Sequence, residues 1–531
     1  MRSGAPRRTD ERALIAERRS REVVLTPALQ TASFALAYPS PYRAGMSSLG
    51  FQSLYRQLNA AGIGTHRVFL PDAWEALALR WPQQKRPILS YEAERPLSSY
   101  PVIGLSIAYE LEIAGVIRLL EGAGIPVLAA SRGPRDPIVI GGGPLTFSNP
   151  SVALPFVDLL LVGEAEARLP ELLATIEAAG GDRRRAIEAA GALDNVVVGE
   201  IDEGRFEPLP APARATKELL PAHSAILTPD TELAEMFLVE PERGCSRRCT
   251  FCVMRGGTVA GGMRILPKER PLSVLPPEAK RVGLVGAAVT DLPHLEELVA
   301  DIVDSGRGVA ISSLRADRLT PRFLHDLQRG GYRTITVASD GISERMRLVL
   351  DRRVKEQDLL RAATLTAEAG FHKLKVYEMI GAPGETDADV DELIRFAREL
   401  AAIQRLTLTF STFVAKRNTP LDGQPFLGVK EAEARLQRIR GGLRGKVELR
   451  PQSPRWAYVE YLLAQWGPES GHAALRAVHA GGRYADWIRA FKETPHEPRT
   501  LRFGDEEARA RRRGFAAESR PRLPVLSNPP P

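Results

Sequence analysis

Cysteine is scarce in this chain: there are 3 in 531 residues, an odd number that cannot pair completely. That excludes a small scaffold built on disulfides. Aromatic residues are also few, at 6% of the total. No stretch approaches the ~20 uninterrupted apolar residues of a membrane-spanning helix. The start of the chain, MRSGAPRRTDERALIAERRS, lacks the apolar core of a secretory signal, and its Asp10, Glu11 and Glu17 argue against an organelle transit sequence. The expected location is therefore cytoplasmic, where thiolates stay reduced.

What is present is ordinary for a folded chain of several domains. Hydrophobic residues make up 44% and charged residues 26%, which excludes a mainly disordered chain and a fibrous repeat. The formal charge is +7, but the arginines are scattered and gather mainly near the two ends, as at Arg7, Arg8, Arg511 and Arg512. Nucleic-acid binding is permitted by that charge without being indicated by it.

Residues 1–28 read as a disordered lead-in. Between 29 and 181, apolar strand-like runs (Ser33–Pro39, Val102–Tyr109, Pro137–Gly143, Val157–Ala165) alternate with helical periodicity (Gly45–Gly62, Leu111–Gly124, Ala167–Gly180). That alternation predicts a Rossmann-like, doubly wound α/β domain on a parallel sheet. Residues 182–235 form a linker with a hairpin expected at Val196–Pro210.

From 236 to 445 a second and more regular series begins, with strands expected at Met236–Pro241, Arg281–Gly286, Val309–Leu314, Thr334–Ser339, Lys373–Gly381 and Leu406–Val414. Six strand–helix units fit a partial (βα)6 barrel of the TIM type, since a closed eight-unit barrel usually needs about 250 residues. Residues 446–504 read as a small, mostly helical C-terminal cap domain, and 505–531 as a disordered tail.

All three cysteines fall in one eight-residue stretch, Cys245-Ser-Arg-Arg-Cys249-Thr-Phe-Cys252, directly after the first strand of the second series. A loop there lies at the C-terminal mouth of a parallel barrel, where active sites collect. Three thiolates so close together can ligate three irons of a [4Fe–4S] cluster and leave the fourth open, whereas an electron-transfer cluster takes four cysteines. Zinc and a cluster of free thiols are the alternatives. Structural zinc prefers a second Cys or His pair nearby, and the next histidine downstream is His294.

The pattern C-x3-C-x2-C, with the aromatic Phe251 before its last cysteine, resembles the signature of the radical SAM superfamily. That resemblance implies a cluster that binds S-adenosylmethionine (SAM) at its open iron and cleaves it to a 5′-deoxyadenosyl radical. It implies an electron donor such as flavodoxin or ferredoxin. The family's Gly-Gly-Glu stretch at the end of strand two is similar to Gly286-Ala287-Ala288, without the Glu. Ser313 and Arg315 after strand three, Asp340 after strand four, and Gly381, Gly384 and Glu385 in a Gly-x-Pro-Gly-Glu-Thr turn after strand five complete the implied SAM contacts.

The first domain is similar to the cobalamin-binding domain ahead of some radical SAM barrels. The matching residues are Ser106, Gly141, Gly142, Gly143, Gly163 and Glu164. The Asp-x-His-x-x-Gly lower-ligand motif is missing, and His66 reads as structural. The reading is a radical SAM enzyme of unknown substrate, with cobalamin-dependent methyl transfer or related radical chemistry. The alternatives are a cobalamin-free RNA-modifying enzyme resembling methylthiotransferases, and a zinc-bearing nucleic-acid-binding module.

Overall fold

The computed structural model describes residues 10–72, 87–199, 210–255 and 262–495. The chain divides into two compact units. Of the described residues, those within 10–239, 276–279 and 466–495 make the first; those within 240–275 and 280–465 make the second. No described helix is long and apolar enough to cross a membrane.

The first unit is built on six strands: β1 (Phe34–Pro41), β2 (Thr65–Leu70), β3 (Val102–Ser106), β4 (Ile138–Gly142), β5 (Leu159–Leu161) and β6 (Val196–Val198). Their spatial order is β2-β1-β3-β4-β5-β6. The first five are parallel and β6 is antiparallel at the edge. The chain leaves β1 for one side and returns to the other, so the switch point lies between β1 and β3. This is the doubly wound order in which ligands collect at the strands' C-terminal ends. The strands are apolar almost throughout because both faces are covered. Helix Leu49–Ala60 starts on Ser48, whose hydroxyl accepts the Phe51 N–H at 3.4 Å, and it buries Phe51, Tyr55 and Leu58 on one stripe. His66 is structural as expected: its ring bonds the Tyr100 hydroxyl at 2.6 Å and the Leu29 carbonyl at 3.1 Å.

Two expectations are corrected in this unit. Residues 10–28 are ordered rather than a loose lead-in. Asp10 caps helix Glu11–Ser20, and Val23–Val24 pairs antiparallel with Ile226–Leu227. The physical reason is a buried ionic network: Arg67, on β2, donates to Glu22 at 2.7 and 2.9 Å and to Glu92 at 2.5 Å, while Arg18 donates to the Tyr91 hydroxyl at 3.0 Å. A buried guanidinium holds its partners firmly because releasing one leaves a charge uncompensated. The second correction concerns the hairpin. Val196–Val198 pairs with β5 as the last strand of the main sheet, with all three valines buried. Residues 200–209, the rest of that hairpin, lie outside the described residues, as does the 505–531 tail.

The second unit opens with an antiparallel ribbon of β7 (Glu242–Arg243) and β8 (Arg264–Ile265), which brackets the cysteine loop. Six parallel strands follow: β9 (Arg281–Leu284), β10 (Gly308–Ile311), β11 (Thr334–Ala338), β12 (Lys373–Ile380), β13 (Leu406–Thr412) and β14 (Glu448–Pro451). β9 pairs with β10, a bridge from Leu314 to Val337 leads on to β11, and β11-β12-β13-β14 run as neighbours. Along them Ile335, Val337, Leu374, Val376, Leu406, Leu408 and Phe410 are buried on the outer, helix-covered face. The alternate residues point to the barrel lumen. Intervening helices carry their own caps: Thr320 accepts the Phe323 N–H at 3.1 Å ahead of Pro321–Arg329.

Residues 446–504, read as a cap, divide between the units. β14 and helix Pro454–Gln465 belong to the second, and helices Glu469–His479 and Tyr484–Lys492 to the first. β14 is a parallel barrel strand that the sequence pattern misses, because only four residues long and carrying Glu448 and Arg450 it has no apolar run.

Candidate functional site

The cysteine loop is seated on the strand ends of the second unit. It starts at Gly244, with φ +92, where a Cβ would stand 2.5 Å from the Gly262 carbonyl; only glycine lets the loop close on itself there. The Thr250 N–H donates to the Leu350 carbonyl at 3.0 Å, and the Leu421 N–H donates back to Thr250 at 3.4 Å. Phe251 packs on a cluster that includes Met346, Leu350, Met379, Ala382 and Phe413, so the aromatic residue before the last cysteine anchors the loop at the C-terminal ends of β12 and β13.

Cys245 and Cys249 are buried and Cys252 is half-buried, all as free thiols. Burial pushes the Cys252 thiol up to about 11, and the charges of Cys249 and Cys245 add to the rise. Cys245 is raised for the same two reasons, burial first. Cys245 and Cys252, both held back from ionising by burial and by the neighbouring sulfurs, make with Cys249 a three-sulfur donor set suited to a cation. One guanidinium and one backbone N–H border them. The Arg352 guanidinium lies 3.9 Å from the Cys249 sulfur while holding Asp340 at 2.8 Å. The Arg247 N–H donates to the Cys245 sulfur at 3.4 Å, and its side chain grips Asp291 through two bonds of 2.9 Å. Among the described residues no three His, Cys, Asp or Glu side chains are closed into a metal-binding arrangement; the fit to a cluster rests on the chemistry of this donor set.

The expected SAM contacts meet three different fates. Gly286, Ala287 and Ala288 do form the turn after β9, and its missing acid is supplied from elsewhere. The fully buried Glu242, on β7, accepts the Ala288 N–H at 2.8 Å, and a Cβ on Gly286 would lie 2.2 Å from its Oε1. The other carboxylate oxygen, Oε2, is buried without a hydrogen-bond partner among the described residues. Burial raises this carboxyl to about 7, with the Ala288 N–H opposing. Ser313 is exposed after β10, with Ser312 beside it donating to the Gly286 carbonyl at 3.3 Å.

Arg315 and Asp340, by contrast, are engaged by the chain. Arg315 pairs with Asp291 at 2.5 Å and with Asp317, which ties the strand-three loop through Asp291 to Arg247 of the cysteine loop. Asp340 sits at φ +61, in the left-handed region, and holds Arg352 against Cys249. In the turn after β12, Gly381 and Gly384 have φ +79 and +81. Glu385 braces that turn from beneath: both of its oxygens accept the Gly381 N–H, at 2.9 and 3.0 Å, and Arg435 pairs with it at 2.5 Å. Glu385 therefore shapes the turn and points away from its open side.

In the first unit most of the residues expected at a cobalamin site are spent internally. A Cβ on Gly141 would stand 2.9 Å from Val157, and one on Gly143 (φ +101) 2.7 Å from the Ile107 carbonyl. Gly163 (φ +104) lies against the linker, with Ala213 N only 2.3 Å from its Cβ position. Glu164 accepts the Ala215 N–H at 2.7 Å. Gly142 and Ser106 stay half-exposed at the ends of β4 and β3. The switch point itself is closed by Glu112, which accepts the Ala108 N–H at 2.6 Å and the Ser40 hydroxyl at 3.4 Å.

Sequence reasoning missed Glu242, Arg352 and Glu112. The only signal for Glu242 was a vacancy, the absent acid after strand two. Arg352 and Glu112 carry no motif at all.

A parallel barrel with a three-cysteine loop seated on its strand ends, preceded in sequence by a doubly wound unit, is an α/β architecture suited to a cofactor-bearing enzyme. Two family models match, the N-terminal part of radical SAM proteins over residues 50–199 and the radical SAM superfamily over residues 239–397. The chain belongs to the radical SAM superfamily and is a radical SAM enzyme. An uncharacterized protein of Methanocaldococcus jannaschii (MJ0966) is 24% identical over 403 residues, 74% of this chain and 79% of that protein. Among solved structures, the radical SAM methyltransferase TsrM from Kitasatospora setae, with cobalamin and a [4Fe–4S] cluster bound, matches with a TM-score of 0.52. It is 14% identical and covers 87% of this chain and all of its own. The cobalamin-dependent radical SAM enzyme OxsB matches at TM-score 0.48 and 14% identity, over 77% of this chain and 62% of its own.

Proposed function

We propose that Cys245, Cys249 and Cys252 hold a [4Fe–4S] cluster and that the turns beside them hold SAM. The observation that carries this is the three-thiol loop, packed on the strand ends through Phe251 and bordered by Arg247 and Arg352. When bound, such a cluster supplies the electron that cleaves SAM to a 5′-deoxyadenosyl radical. The chain's own part is positional. The orphaned oxygen of Glu242 would accept an N–H from the SAM ammonium, giving a buried carboxylate the partner it lacks among the described residues. The exposed Ser312 and Ser313 and the Gly381–Gly384 turn border the rest of the cofactor.

The cobalamin-dependent reading, methyl transfer in particular, rests on the fold. Its support is the β2-β1-β3-β4-β5 order of the first unit and the likeness to TsrM over the whole of that chain. The expected glycines do not themselves make a cradle for a corrin, since Gly141, Gly143 and Gly163 are filled by the chain. No step through cobalamin is therefore assigned to particular residues.

Anaerobic reconstitution with iron and sulfide tests the radical reading. The expected result is about four irons per chain and 5′-deoxyadenosine from SAM under dithionite, with Cys249→Ala abolishing both. One zinc per chain and no 5′-deoxyadenosine would refute it. Incubation with cobalamin followed by desalting tests the second part: retained corrin absorbance supports it, and its loss removes methyl transfer through cobalt.

A further inference from the structure

The lumen wall of the second unit carries positive charge that the described residues leave partly uncompensated. Register places Thr336, Lys375, Thr407 and Glu448 in one row across β11–β14, and Ala338, Tyr377, Thr409 and Arg450 in the next. These alternate with the buried apolar residues that face the helices, so both rows line the lumen. Glu448 is heavily satisfied: it accepts from Thr407 at 2.8 Å, Arg450 at 2.7 Å and Lys373 at 3.1 Å. Those bonds hold its carboxyl down at about 2.

Among the described residues one carboxylate thus answers both Lys373 and Arg450, and none pairs with Lys375. The Lys375 ammonium meets Tyr377 instead, the hydroxyl at 3.2 Å and the ring centroid at 4.7 Å. Beside Tyr377 in register, the Thr409 hydroxyl is buried and has no hydrogen-bond partner among the described residues. An ammonium, a phenol and an unpartnered hydroxyl on one wall form a donor set for an oxyanion. Lys375 lies four positions before Met379 on β12, about 13 Å at ~3.3 Å per residue, and Met379 belongs to the cluster that seats Phe251. An anion held at Lys375 therefore leaves the length of a small metabolite between itself and the cysteine loop.

We propose that Lys375, Tyr377 and Thr409 bind the anionic group of the substrate, a carboxylate or a phosphate, in the barrel lumen. Calling that ligand the substrate rests on the radical SAM reading above; the anion site itself does not. The test uses the full chain, reconstituted anaerobically, with phenyl phosphate and 3-phenylpropanoate as probes and benzyl alcohol as the neutral control. Binding is read by calorimetry, and trace acetylation with mass spectrometry reads the protection of each lysine. At least one anionic probe is expected to bind, to shield Lys375 more than the other lysines, and to bind about tenfold or more weakly to Lys375→Met. Lys375→Arg, which keeps the charge, should retain much of the affinity, and Thr409→Val should lose a smaller part. Which probe binds tells carboxylate from phosphate. Unchanged affinity in Lys375→Met, equal binding of benzyl alcohol, or protection spread evenly over surface lysines would overturn the proposal. Iron content and SAM cleavage measured on the same wild-type preparation keep the two readings apart. Lys375-dependent binding without SAM cleavage leaves the anion site standing and the radical reading fallen.

Discussion

The two units place similar chemistry at the C-terminal ends of parallel strands and use it in opposite ways. In the first, the glycines after β4 and β5 admit the chain itself: Ile107 fills the space at Gly143, and Ala213 the space at Gly163. The acid there, Glu164, is committed to the Ala215 N–H. In the second, the glycine after β9 admits a carboxylate, Glu242, which keeps one oxygen unsatisfied. A strand-end glycine signals a close approach without saying by what. A buried polar atom left unpaired is far rarer and far more specific, because folding has accepted its desolvation without return.

The largest effect that would break this comparison lies at Gly163. If the linker truly occupies that corner, Gly163→Ala forces a Cβ to 2.3 Å from Ala213 N at φ +104. The expected cost is about 2–4 kcal/mol, since both a clash and a left-handed backbone must be relieved. Gly142→Ala is the matched control, because its Cβ would meet only the Leu161 carbonyl at 3.5 Å; it should change stability by less than about 1 kcal/mol. Urea denaturation of the full chain reads both. A neutral Gly163→Ala would mean that the linker is displaceable and the mouth open to a ligand after all.

Glu242 offers a sharper and somewhat smaller test, with two readouts of opposite sign. Glu242→Gln keeps an acceptor for the Ala288 N–H and removes a buried charge whose second oxygen has no hydrogen-bond partner among the described residues. The cofactor-free protein should hold or gain stability. SAM affinity, measured by equilibrium dialysis on the reconstituted protein, should fall about tenfold to a hundredfold, the usual worth of a charge-assisted hydrogen bond. An unchanged affinity would return Glu242 to a purely structural role, in line with Glu385.

The architecture was legible because its signals are local. The apolar run Val102–Ser106, followed by helical periodicity, announces a parallel strand covered on both faces, and the alternation in Leu406–Thr412 a strand with one face against helices. β14 escaped because an edge strand lining a wet lumen has no reason to be apolar. The cysteine loop was legible from three residues and their spacing. The groups that surround it were not, for the opposite reason. Arg352 reaches Cys249 across 103 positions of sequence, and Glu242 answers a turn 46 positions away. Such pairings depend on which strand ends the barrel brings together, and no spacing rule encodes that. The Gly-x-Pro-Gly-Glu-Thr turn misled in a narrower way. Its glycines are required by positive φ, yet its acid folds beneath the turn to hold the Gly381 N–H.

The smallest effect in the comparison is a pH dependence that both units share and that the cofactor should divide. Burial raises Glu112 in the first unit and Glu242 in the second, each to about 7. Each folded value lies above the unfolded one, so the fold prefers the neutral acid. The associated stability is complete below about pH 4.5 and is lost as pH rises through 7. Thermal melts of the cofactor-free protein should therefore fall between pH 5 and 8, and Glu112→Gln and Glu242→Gln should each flatten part of that slope. Adding SAM to the reconstituted protein supplies an ammonium to Glu242 alone, so it should remove the Glu242 share and leave the Glu112 share in place. A slope that SAM leaves untouched would show that the oxygen left unsatisfied in the second unit is no more a ligand contact than the acid that closes the switch point in the first.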